Sequence, residues 1–134
     1  MELTHFDDFL LVAAQQTEPQ RLLFVFTTAE LPGEHTPDEA QRYARGQGGT
    51  LSPVMYVDKA QQEVASFAAL LDESKATGRD WHVMFVAALD GQNGIPLTSE
   101  QAQQALELMV KNIENGQIQR FLAFDKQGLP VRFV

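Results

Sequence analysis

The sequence predicts a single α/β domain over residues 1–134. It is expected to hold a mixed, mostly parallel sheet of about five strands, flanked by about four helices and ending in a β-hairpin. Three observations lead there. Segments of helical and strand periodicity alternate along the chain. The strand-length runs, such as "LLFVFT" (Leu22 to Thr27), are apolar at successive positions, as in parallel strands covered on both faces. The last two apolar runs are separated by "DKQG" (Asp125 to Gly128), with aspartate to start a turn and glycine for its left-handed position.

Each element has its own signal. The first helix is expected to be capped by Thr4 with Asp7 three residues on, and Phe6, Phe9, Leu10 and Ala13 share one face. The first strand is Leu22 to Thr27. The second helix opens at "TPDE" (Thr36 to Glu39), a capping box with proline at the first helical position. Ala40, Tyr43 and Ala44 form its face, and Gly46 ends it. The strand "VMYV" (Val54 to Val57) follows Pro53. The third helix is expected after Asp58 as cap, with Val64, Phe67, Ala68 and Leu71 as its stripe and Gly78 as its stop. The longest apolar run is "HVMFVAAL" (His82 to Leu89). The fourth helix opens at Thr98 with Gln101 three on, carries Ala102, Ala105, Leu106, Met109 and Ile113 on one face, and closes at Gly116. "RFLAF" (Arg120 to Phe124) and "PVRFV" (Pro130 to Val134) make the closing hairpin. Apart from the extra first helix, this order resembles that of thioredoxin-like folds, in topology alone. Asp58-Lys59-Ala60-Gln61 stands where Cys-x-x-Cys would be, and no proline precedes "RFLAF".

Composition removes several chemistries. The 134 residues suit one domain, and 44% hydrophobic with 21% charged residues is the balance of an ordinary globular chain. Cysteine is absent, which excludes disulfides, thiolate metal sites and thiol or cysteine-radical chemistry. "MELTHFDDFLLVAA" is acidic ahead of its apolar part, where a secretory signal is basic. No apolar run approaches the roughly 20 residues that span a bilayer, so a cytoplasmic protein with no membrane contact is expected. The net charge of −8 repels phosphate backbones, which argues against nucleic-acid binding. The basic residues are scattered. Arg42 with Arg45, Lys75 with Arg79, and Arg120 with Arg132 come nearest one another.

If the first four strands are parallel, their C-terminal ends share an edge, where ligands of open α/β sheets bind. Thr28, Glu30, Asp58, Asp90, Asn93 and Asp125 are the candidate ligand-binding residues there, with Thr27, Lys59, Gln92 and Lys126 beside them. Several carboxylates on one edge suit Mg²⁺ with a phosphate. Each also has an ordinary explanation: Asp58 as a helix cap, Asp125 as a turn starter, Asp90-Gly91 and Asn93-Gly94 as turn dipeptides. "DGQNG" is not an EF-hand loop, since Gln101 occupies the twelfth position. "RGQGGT" (Arg45 to Thr50) follows a helix rather than opening one, so it is not a dinucleotide loop. His5, His35 and His82 are not paired at ligand spacing, although His35 with Glu34 and Glu39 is a weak metal candidate. No Gly-x-Ser-x-Gly elbow is present. No cofactor is implied.

"EPQRLLFVF" (Glu18 to Phe26), "GQGGTLSPVMYVDK" (Gly46 to Lys59), "SFAALLDES" (Ser66 to Ser74) and "DWHVMFVAAL" (Asp80 to Leu89), with "AELP…TP" between Ala29 and Pro37, carry a resemblance over most of the chain. They are similar to small bacterial proteins commonly labelled "ribonucleotide reductase subunit alpha". The resemblance implies a bacterial origin and at most an accessory role beside that enzyme, and brings no site residues. The label conflicts with the residues, because the catalytic subunit is several times longer and works through cysteines that this chain lacks.

The expected function is a non-catalytic cytoplasmic interaction or regulatory domain. Its partner would be another protein, or a second copy through the C-terminal hairpin, whose Phe121 to Phe124 are apolar on both faces. The alternative is a small-molecule or Mg²⁺-phosphate binding protein or enzyme using the strand-end carboxylates.

Overall fold

The computed structural model of the chain describes residues 3–30 and 50–132. At its centre lies β1 (Gln20–Glu30), buried at every position from Leu22 to Thr27. Side chains alternate across a strand. Leu22, Phe24 and Phe26 therefore enter one core layer, with α1 (Phe6–Ala14) and α2 (Phe67–Ala76). Leu23 and Val25 enter the other, with α3 (Ser99–Glu114). Helices cover both faces, which is why the strand runs are continuously apolar.

The sheet itself overturns the expected fold class. It has four strands, all antiparallel, in the order β2-β1-β3-β4, with β2 at Thr50–Ala60, β3 at Val83–Asp90 and β4 at Leu122–Phe124. Three α-helices stand among the described residues. The expected second helix, Thr36 to Gly46, and the "RGQGGT" loop before Thr50 lie outside them. Glu30 pairs with Thr50, so β2 returns beside β1 instead of crossing over. The chain then passes through α2 to β3, on the other side of β1. β2 and β3 run in the same direction, but β1 lies between them, antiparallel to both. A continuous apolar run reports that both faces are covered; it carries no information on the direction of the neighbouring strand. The thioredoxin-like order fails for the same reason.

The chain end is corrected too. Asp125 opens a turn, with Gly128 N–H donating to its carbonyl at 3.0 Å and Gly128 at φ +79°. The return is a single bridge of Pro130 to Phe124, with Val131 N–H on Ala123 O at 2.9 Å, so no fifth strand forms among the described residues. Ala123 and Phe124 are buried in the chain's own core.

Local capping explains the element starts. His5, not Thr4, caps α1: its Nδ1 accepts from Asp7 N–H at 3.0 Å. Asp8 completes the box, accepting from Thr4 N–H, Thr4 hydroxyl and His5 N–H at 2.7–3.2 Å. Asp58 caps nothing, because β2 runs on to Ala60 and a 3-10 turn (Gln61–Glu63) follows. Ser66 caps α2 instead, its hydroxyl accepting from Ala69 N–H at 3.1 Å. Asp7 of α1 takes Phe67 N–H at 2.8 Å and so ties the two helices together. α3 has the reciprocal box of Thr98 and Gln101, and buries Ala102, Leu106, Met109 and Ile113.

Candidate functional site

The six strand-end residues do not share an edge. With β1 and β4 running opposite to β2 and β3, the ends carrying Thr28, Glu30 and Asp125 lie at one edge, and those carrying Asp58, Asp90 and Asn93 at the other. Asp58 lies opposite Leu23 and Asp90 opposite Gln20. At about 3.3 Å per residue, Thr28 is some 17 Å along β1 from the level of Asp58 and some 26 Å from that of Asp90. An ion that binds its ligands within about 2.6 Å cannot be shared across that span. Asp58 and Asp90 also face opposite sides of the sheet, since Leu23 and Gln20 belong to alternate faces.

The fold itself engages most of these groups. Asp58 Oδ2 accepts from Arg21 Nε at 2.8 Å and Nη2 at 2.6 Å, with both side chains about a quarter exposed. Arg21 also reaches Glu63 at 3.6 Å. Asp90 accepts from Gln20 Nε2 at 2.6 Å. Asp125 Oδ1 accepts from Gln127 N–H and Leu129 N–H at 2.9 and 3.0 Å, holding its own turn. Thr28 is half-buried, with its hydroxyl unpaired. Glu30 is described in its backbone only, as the last residue of β1.

"DGQNG" is a tight turn. Gln92 and Ile95 exchange N–H···O bonds at 2.8 and 2.9 Å around Asn93 and Gly94, at φ 53° and 80°, the left-handed pair that a two-residue hairpin requires. Gly91 N–H donates to Pro19 O at 2.8 Å, and Gly94 N–H to the Glu18 carboxylate at 3.2 Å. These amides serve the connection to β1 and are not turned toward a ligand.

Among the described residues no three of His, Asp and Glu gather as metal ligands, and the candidate at His35, Glu34 and Glu39 lies outside them. His5 Nε2 is 3.0 Å from Gln127 O, and His82 Nδ1 accepts from Ala29 N–H at 2.9 Å. Both rings act as structural bonds.

Concave surface is found elsewhere among the described residues. A groove of about 260 Å³ opens between β2 and α2, lined by Phe26, Met55, Tyr56, Val57, Leu70, Glu73, Ser74 and Thr77. The polar side chains of α2 that line it, Ser74, Glu73 and Thr77, already have partners. Ser74 Oγ donates to Leu71 O at 2.7 Å and accepts from Trp81 Nε1 at 3.0 Å; Glu73 holds Lys59 at 2.9 Å; Thr77 Oγ1 donates to Ser74 O at 2.7 Å. The groove therefore offers apolar surface, with Tyr56 52% exposed. A second depression of about 160 Å³ adjoins it, sharing Leu70 and Glu73 and adding Lys59 and Glu63.

No protein-family model, no curated protein and no solved structure matches the chain. No helix of the described residues is long and apolar enough to cross a membrane.

Met55, Val57 and Leu70 were missed because in sequence they look like any core residues. The available signal was Pro53. A proline inside a strand belongs to an edge or a bulge, so it marked β2 as an edge strand, although not the groove on its face.

Proposed function

We propose that the chain is a non-catalytic interaction domain that binds a protein partner through the groove between β2 and α2. The observation that carries this is the groove's size and lining. Pockets for drug-sized ligands run to roughly 300–1,000 Å³ and add a few convergent polar groups. This groove has about 260 Å³, and the Ser74 and Thr77 hydroxyls in its lining are spent on the fold. It suits one inserted apolar or aromatic side chain of a partner, with Tyr56 beside it, a residue type enriched among the contacts that dominate interface energies once buried. Glu73 and Glu63 border the surface but are paired with Lys59 and Arg21, so the groove selects the partner by its apolar anchor rather than by charge.

A photo-crosslinking amino acid in place of Tyr56, expressed in the source cell, is expected to give one discrete adduct. The same residue in place of Leu108, exposed on α3, gives none. Filling the groove with Thr77→Trp removes the Tyr56 adduct. Identical adducts from both positions, or none, contradict the proposal. A second reading, a homodimer through the terminal segment, is supported by Leu122 and Leu129, 43% and 47% exposed. An adduct of twice the chain's mass, formed from Leu122 and not from Tyr56, would favour it.

A further inference from the structure

We infer that a depression at the C-terminal end of α2 is an oxyanion site, for a phosphate or the phosphate group of a small molecule. The depression measures about 210 Å³ and gathers Lys75, Arg79 and Lys126 over a floor that includes Leu71 and Trp81. The chain has ten basic residues against eighteen acidic ones, yet three of the ten meet here, with Asp80 the only carboxylate in the lining among the described residues. The local charge is therefore opposite to that of the whole molecule. An inversion of this kind concentrates anions at one place on a surface that elsewhere repels them.

The site is partly built. The Trp81 indole is buried and fixed by its N–H on Ser74 Oγ at 3.0 Å. Among the described residues the Arg79 guanidinium makes one bond, Nη1 to Val54 O at 2.7 Å. A guanidinium has five N–H donors in a planar fork, so the remainder stay open for an oxyanion. Lys75 forms no ion pair among the described residues. Lys126 is paired with Asp80 on the surface. That contact, with the Trp81 backbone, holds the Asp80 carboxyl below its usual range, so Asp80 stays charged and competes for Lys126. The volume is several times the roughly 30 Å³ share of one water, which leaves room for an anion and part of its hydration. This inference is independent of the β2–α2 groove and stands or falls separately.

The test is an amide- and indole-resolved NMR titration with inorganic phosphate, against sodium chloride at equal ionic strength. Phosphate is expected to shift the Trp81 indole N–H and the amides of Arg79, Asp80 and Lys126 saturably. Lys75→Gln with Lys126→Gln weakens binding about tenfold, the effect of losing roughly 1.4 kcal/mol. Lys111→Gln, on α3, leaves it unchanged. Asp80→Asn tightens binding, because it removes the competing carboxylate, and a purely structural role for these residues would not produce that gain. Shifts equal to those in chloride, or insensitivity to the Lys75 and Lys126 substitutions, would overturn the assignment.

Discussion

At the level of single residues, the fold is fastened by contacts that join the start of the chain to its end. His5 caps α1 with one ring nitrogen and meets Gln127 O with the other, and Phe6 N–H donates to Gly128 O at 2.8 Å. Gly128 has φ +79°, and a Cβ there would lie 2.5 Å from His5 Nε2. Gly128→Ala is strained twice, by its backbone and by this ring, and is expected to cost about 1–3 kcal/mol in urea unfolding. Gly78→Ala, also at positive φ but with open space around it, is the milder control. Asp8 gives a pH signature. The Thr4 side chain and backbone, then the His5 backbone, hold its carboxyl below the usual range. A depressed carboxyl contributes stability that is present above its unfolded value and lost as the pH falls through the native one. Thermal unfolding of the wild type is therefore expected to drop as the pH falls below about 4, and Asp8→Asn to be lower at neutral pH with a flatter profile in that range. Parallel profiles for the two proteins would contradict this cap. Such contacts were unevenly legible in the sequence. Thr98 with Gln101 was readable because both partners lie within one turn. His5 was not, since Thr4, one residue earlier, is the more common type of capping residue, and the second bond that holds the His5 ring comes from Gln127, 122 residues away.

Among the elements, β2 shows most clearly how an edge is managed. The register slips between Phe26 and Thr27: Phe26 faces Met55 and Thr27 faces Pro53, so Val54 has no partner on β1. This is a bulge, the device that twists an edge strand and spoils it as a template for further pairing. Arg79 occupies the free Val54 carbonyl, and Pro53 offers no N–H. Pro53→Val together with Arg79→Ala restores a pairing edge and is expected to give concentration-dependent association in light scattering. A mass that stays constant over a hundredfold range of concentration would show that other features protect β2. The positions of the four strands were legible, and for β1 also its two-sided burial, because an apolar run such as Leu22 to Phe26 states it directly; the fifth strand expected at Pro130 to Val134 is reduced to one bridge at Pro130 among the described residues. Strand direction was not legible, because an antiparallel strand under helices on both faces has the same pattern as a parallel one. Helix starts suffered from a related ambiguity. Asp58 is as good a cap in sequence as Ser66, and only the extension of β2 to Ala60, fixed by Arg21, decides between them.

For the molecule as a whole, the reversal of two strands changes where function is to be sought. Carboxylates that would crowd one edge of a parallel sheet are divided between two ends, and Asp58, Asp90 and Asp125 are occupied by Arg21, Gln20 and backbone amides. The candidate site was thus legible as individual polar residues and illegible as a constellation, because proximity depends on strand direction. The β2–α2 groove and the basic depression were hidden for a different reason: each joins residues far apart in sequence, as Met55 with Leu70 and Lys75 with Lys126. The most direct measurement is a methyl-resolved NMR titration of the chain with p-cresol and indole, stand-ins for tyrosine and tryptophan side chains. Saturable shifts at the methyls of Met55, Val57 and Leu70, with those of Leu108 unmoved, are expected if the groove receives a partner's side chain. Groove methyls that do not saturate, or that move no more than Leu108, would contradict a partner-binding groove between β2 and α2.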